Sequence, residues 1–149
     1  MFSGRARVSK TSDGVYAVAD ASGWYWLRTT HYLKATDFGF SIPVGATISG
    51  IIVKIEKLGS NVASDHSVKI VKGGIVGGVE HSAGEALPAV KTYTTYGSAV
   101  DQWGLPWTPA DINDVGFGVA YSAVLDPGLA WGPAGVDHIS ITVYYQVAP

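Results

Sequence analysis

The sequence predicts an all-β fold, a jelly-roll-like two-sheet antiparallel β-sandwich of roughly eight strands with one short helix near residues 109–113. Three observations predict it. Apolar residues recur at period two in the clearest segments, as in Ile51, Val53, Ile55 and again in Ile139, Ile141, Val143, Tyr145. Turn residues punctuate the chain at short intervals, with 19 glycines and 7 prolines in 149 residues. A helix-start signal occurs at Thr108, and helix-stopping residues follow it within two turns.

Taken in order, residues 1–20 are small, polar and weakly patterned. They read as an N-terminal arm or edge segment ahead of a single sandwich domain, 21–149, with a turn at Thr11-Ser12-Asp13-Gly14. Residues 24–30 form the first strong strand. Trp24, Trp26 and Arg28 point one way and Tyr25, Leu27 and Thr29 the other, so both faces are expected to be covered. Residues 32–40 continue the alternation through Leu33, Ala35, Phe38 and Phe40, and Gly39 marks a bulge or a close backbone approach.

The turn around Pro43-Val44-Gly45 leads into the clearest strand, 48–58. Ile51, Val53 and Ile55 share its inner face, and Lys54 and Glu56 are expected to face water. Gly59-Ser60-Asn61 turns the chain, and residues 67–72 follow with Val68 and Ile70 inward. The run KGGIVGGVEHSAG (72–84) has neither the G-x-G-x-x-G spacing nor a P-loop lysine-serine pair. It reads as a mobile loop or weak edge strand, not a phosphate cradle. Residues 93–96 make a short strand of tyrosine and threonine.

The stretch 96–123 organises the rest. Thr108 can cap a helix, Pro109 fits its first position, and Asp111 completes a capping box three residues after Thr108. Asn113 and Gly116 stop it after one or two turns. Trp103 and Trp107 flank Gly104-Leu105-Pro106, which makes a bend. Their rings could form a platform for a sugar or a partner, but sealing one end of the core is the favoured use. Phe117, Val119 and Tyr121 begin the next strand. Asp126-Pro127-Gly128 and Gly132-Pro133-Ala134-Gly135 then bracket Leu129-Ala130-Trp131, and residues 136–147 form the last strand.

Composition excludes several functions. There are no cysteines, hence no disulfide, thiolate nucleophile or Cys-based zinc site. Net charge is −2 and no basic run occurs, so nucleic acid is not expected as a partner. No apolar stretch approaches the roughly 20 residues of a membrane span, and no membrane association is expected. Arg5, Arg7 and Lys10 are not followed by an apolar segment, so the N-terminus does not read as a signal peptide. Charged residues make up only 15%, which hints that part of the surface is covered by a partner.

Asp65-His66 and Asp137-His138 are adjacent pairs, and neighbours on a strand point to opposite faces, so neither chelates by itself. Asp137 is expected just before the last strand, tying a loop through backbone hydrogen bonds. No serine lies in a G-x-S-x-G elbow. The chain is therefore not expected to be an enzyme or to hold a metal or cofactor. The candidate partner or glycan contacts are Trp24, Trp103, Trp107, Trp131, Arg5 and Arg7.

Three blocks carry a family resemblance: IPVGATISGIIVKIEK (42–57), TYGSAVDQWGLPWTPADINDVGFGVAYSA (95–123) and VDHISITVYY (136–145). The chain resembles small virion proteins of tailed bacteriophages and prophages, in which these blocks recur in this order. The resemblance runs from Tyr32 onward and leaves the first 20 residues uncovered. It implies a non-enzymatic structural protein, a capsid decoration (cement) protein that binds the major capsid protein and stabilises the shell as a homo-oligomer. The implied location is the capsid surface of the virion, after synthesis in the host cytoplasm. The alternative is a carbohydrate- or receptor-binding sandwich of a tail or baseplate.

Overall fold

The computed structural model describes residues 2–9, 17–20, 28–59, 63–125 and 133–148. Among them are β1 (Phe2–Ser9), β2 (Ala17–Asp20), β3 (Arg28–Thr29), β4 (Leu33–Thr36), β5 (Thr47–Gly59), β6 (Ala63–Lys72), β7 (Ile75–Gly77) and β8 (Thr92–Ser98). The helix α1 (Pro109–Asn113) and the strands β9 (Gly118–Leu125) and β10 (Pro133–Val147) follow.

The strands form two antiparallel sheets. Sheet A has the order β1-β10-β5-β8, with β2 also on β10; sheet B has the order β3-β9-β6-β7, with β4 also on β9. β1 and β2 use successive parts of one edge of β10, because β5 occupies the other edge. β3 and β4 divide one edge of β9 in the same way. Counting each divided edge as one interrupted strand leaves eight, and these pair from the chain ends inward: β1/β2 with β10, β3/β4 with β9, β5 with β8, β6 with β7. A nested hairpin rolled into two sheets in this manner is a jelly roll.

Period-two patterning fills the space between the sheets. Ile51, Val53, Ile55, Ile141 and Val143 from sheet A meet Val68, Ile70, Val119 and Tyr121 from sheet B. β9 is central, and nearly all of it is buried. The glycine-rich run becomes the edge strand β7 and its flanking loops.

The end of the sandwich where β5 starts and β6 ends is closed by irregular chain. Asp37 and Gly39 adopt left-handed φ of 60° and 76°. They stop the alternation of residues 32–40 as a hydrogen-bonded strand at Thr36, yet still turn Phe38 and Phe40 inward. Phe40 meets Phe117 edge-on at 5.6 Å. The helix has both arms of its capping box, between Thr108 and Asp111. It buries Ile112, and Asn113 clasps residue 42 like a strand partner. The Asn113 Oδ1 accepts from the Ile42 N–H at 2.7 Å, and its Nδ2 donates to the Ile42 carbonyl at 3.0 Å.

Two expectations are corrected. Glu56 does not face water; it is buried on the outer face of sheet A, with its carboxylate 3.7 Å from the Lys91 ammonium. Asp137 is not ahead of the last strand but inside β10, at a bulge, with its carboxylate 3.1 Å from Lys91. The turns at 11–14 and 126–128, the segment Leu129-Ala130-Trp131, residues 60–61 and most of the 24–30 strand lie outside the described residues.

Candidate functional site

The groups with chemical potential meet inside the sandwich. Lys57 lies on β5 in phase with Ile51, Val53 and Ile55, so the pleat that buries those three also drives the lysine inward. Asp65 arrives from sheet B by another route. Alternation back from Ile70 and Val68 would place His66 inside, but the register of β6 shifts between Asp65 and Ser67. This bulge turns His66 out and Asp65 in. Tyr96 of β8 and Tyr121 of β9 complete the group, so each sheet contributes two of its members.

Lys57 Nζ donates to Asp65 Oδ1 at 2.6 Å, to Oδ2 at 2.7 Å, and to the Tyr96 hydroxyl. The Tyr96 hydroxyl in turn donates to Oδ2, and the Tyr121 hydroxyl donates to Oδ1 at 2.6 Å. The ammonium also lies 5.1 Å and 5.3 Å from the centres of the two tyrosine rings. Lys57 and Asp65 are 2% and 3% exposed, so this is an ion pair removed from water with its hydrogen-bonding groups matched. Burial holds the Lys57 ammonium below its ordinary range, against the pull of the hydrogen bond and charge of Asp65 and the charge of Glu85. Burial pushes both tyrosine hydroxyls up, and the Asp65 carboxylate adds to the shift.

The tyrosines give the fold an alkaline limit. Above pH 10.0, their ordinary value, they ionise in the unfolded chain but stay protonated in the folded one. Stability present below that pH is then lost at about 1.4 kcal/mol per pH unit for each tyrosine. Lys57 acts oppositely, but only up to its ordinary 10.5, so above that pH the tyrosines set the slope. Urea unfolding should show stability falling as pH rises in this range, and Tyr121→Phe should lower that slope by one proton's worth. An unchanged slope in the variant would mean that the hydroxyl titrates freely in the folded chain.

A second cluster surrounds Trp103. The His81 ring stacks on the indole with centroids 3.6 Å apart. His81 Nε2 is 2.6 Å from Asp101 Oδ2, and its Nδ1 is 2.8 Å from the Val79 carbonyl oxygen. Burial opposes ionisation of Asp101, but bonds from His81 and the Trp103 N–H hold its carboxyl below the ordinary value of 3.8. On the outer face of sheet A, the Tyr93 hydroxyl lies 2.5 Å from His138 Nδ1.

The sequence candidates scatter. Trp103 is wholly buried, with one face on His81 and its Nε1 donating to the Ile51 carbonyl at 2.9 Å, so it offers no ring face to a sugar. Trp107 is half-buried, edge-on to Phe117 at 5.4 Å, with the Lys72 ammonium 5.3 Å from its ring centre. These two indoles thus seal the core. Trp24 and Trp131 lie outside the described residues. Arg5 and Arg7 lie on β1, opposite Tyr144 and Thr142.

An open groove runs between the β6–β7 hairpin and α1, lined by Lys72, Ile75, Leu105, Asp111 and Asp114 among others. Among the described residues, no three His, Cys, Asp or Glu side chains are grouped to hold a metal ion. No helix there is long and apolar enough to cross a membrane. No protein-family model, curated protein or solved structure matches the chain.

Proposed function

We propose that the chain is a non-enzymatic structural protein of a tailed-bacteriophage particle, a capsid decoration protein that binds the major capsid shell as a homo-oligomer. Its mechanism is added buried surface between neighbouring subunits, which raises the free energy needed to open the shell. The supporting observation is what the block carrying the resemblance does in the fold. Trp103 fills the core, Thr108 and Asp111 cap the helix, and Asn113 clasps Ile42. These residues hold a scaffold together.

The surface supports the same reading. Val44, Ile75, Val100 and Val115 are between 70% and 98% exposed. The strand directions bring all four to the end of the sandwich closed by α1. Apolar side chains gathered at one end suit burial against another protein.

The test is the copy number of the chain in purified particles, by quantitative mass spectrometry against the major capsid protein. A ratio near one, or a simple fraction of it, is expected. A handful of copies would overturn decoration in favour of a tail or baseplate position and the receptor-binding alternative. Absence from particles would overturn the virion reading altogether.

A further inference from the structure

We propose that Lys57 and Asp65 condense into an intramolecular isopeptide bond that ties the two sheets together, with Tyr96 and Tyr121 as its catalytic groups. The inference rests on the buried cluster alone and does not depend on the virion reading.

Three features of the geometry carry it. Lys57 Nζ is 2.6 Å and 2.7 Å from the two oxygens of Asp65. That puts the nitrogen within about 3 Å of Cγ, a contact from which attack begins once Nζ moves out of the carboxylate plane and its lone pair faces the carbonyl. The Tyr96 hydroxyl touches both the nucleophile, Lys57 Nζ, and the oxygen that would leave, Asp65 Oδ2. The Tyr121 hydroxyl donates to the other oxygen, Oδ1, where negative charge would develop. A nucleophile, a proton relay to the leaving group and an oxyanion donor thus converge on one carbon.

The surroundings favour the reaction. The two side chains are 2% and 1% exposed, so the water that would stabilise an ammonium and a carboxylate is excluded. Burial draws Lys57 toward the neutral amine. The Glu85 charge works the other way, holding Lys57 toward the ammonium, but burial outweighs it; the Glu85 backbone carbonyl accepts the Asp65 N–H at 2.8 Å and so helps to fix the Asp65 backbone.

The step balances as a simple condensation. A proton passes from the Lys57 ammonium to Oδ2, leaving a neutral amine and a carboxylic acid. The nitrogen lone pair attacks Cγ, forming the C–N bond and moving the carbonyl electron pair onto Oδ1, held by Tyr121. A second proton passes from nitrogen through the Tyr96 hydroxyl to Oδ2. The Cγ–Oδ2 bond breaks, one water leaves, and no oxidant or co-reactant is required. The product amide keeps partners for both its polar groups, with its carbonyl on the Tyr121 hydroxyl and its N–H on the Tyr96 oxygen. It also removes a buried pair of charges.

The test is the intact mass of the full folded chain, denatured after incubation at neutral pH. A mass one water below that of the sequence is expected. Trypsin should then fail to cut after Lys57, releasing residues 55–69 as one peptide lighter by one water. Mild alkali should leave that peptide unchanged. The full sequence mass with normal cleavage after Lys57 would overturn the proposal. So would a deficit that alkali reverses, which marks a succinimide at Asp65. Tyr96→Phe and Tyr121→Phe chains that fold by circular dichroism should condense about 100-fold more slowly. Condensation at the wild-type rate in both would overturn the catalytic roles of the tyrosines.

Discussion

Before Lys57 and Asp65 condense, replacing Asp65 by alanine will destabilise the fold by about 3–5 kcal/mol, the range for breaking a buried pair from one side. The carboxylate accepts from three buried donors: the Lys57 ammonium, the Tyr96 hydroxyl and the Tyr121 hydroxyl. Alanine leaves all three without that acceptor between the sheets, and each must be buried unpaired or drag water inward. Tyr121→Phe removes one donor and leaves the ion pair intact, so it should cost only about 1 kcal/mol. Changing both charges, Lys57→Met with Asp65→Leu, should recover much of the loss, because no lone charge stays behind. Urea unfolding of the four chains, with wild type and Tyr121→Phe taken at full sequence mass, checks the order: wild type, then Tyr121→Phe, then the double variant, then Asp65→Ala. An Asp65→Ala chain within about 1 kcal/mol of wild type would mean that the pocket admits water freely.

The sandwich was legible because burial of one sheet face writes period two into the sequence. Ile51, Val53 and Ile55 showed it on β5, and Ile139, Ile141 and Val143 on β10. The helix was legible because capping chemistry is local: Thr108 and Asp111 meet as their spacing requires. The interior cluster is absent from the sequence expectations, although one of its members carried a signal. Lys57 stands in phase with the three core residues before it, and that parity marks it as an inward cation. Asp65 carried no such mark, because the bulge at His66 reverses the parity read from Val68 and Ile70. A bulge is set by pairing with β9, across more than fifty residues of chain, and no local pattern announces it. Glu56 was misread for a related reason. Alternation tells which face a residue occupies but not whether that face is covered, and here the outer face is packed at Glu56, His138 and Ser140.

Replacing Trp103 by alanine will cost about 3–5 kcal/mol, through the cavity left in the core. The indole is completely buried in the loop between β8 and α1. That loop bridges the edge strands on one side of the sandwich, β8 of sheet A and β7 of sheet B, so the ring plugs that side between the sheets. The slot is shaped to it. A Cβ at Gly97 would lie 2.8 Å from the indole nitrogen and 2.3 Å from the Ile51 carbonyl oxygen. Gly97 is also left-handed, with φ of 83°. Trp103 itself holds a left-handed φ of 58°, fixed by its N–H donating to Asp101 Oδ1 at 2.7 Å and its carbonyl accepting from the Val79 N–H at 2.9 Å. Such a conformation in a bulky residue is retained only where the surroundings over-determine it. Phenylalanine keeps much of the volume but leaves the Ile51 carbonyl without its indole donor, so Trp103→Phe should cost about 1–3 kcal/mol. The two costs separate cavity from hydrogen bond. If they are equal, the indole N–H carries the plug; if phenylalanine is neutral, volume alone does. Urea midpoints at constant m-value decide between them, and a lower m-value for alanine would report a sandwich that has opened along the β7–β8 side.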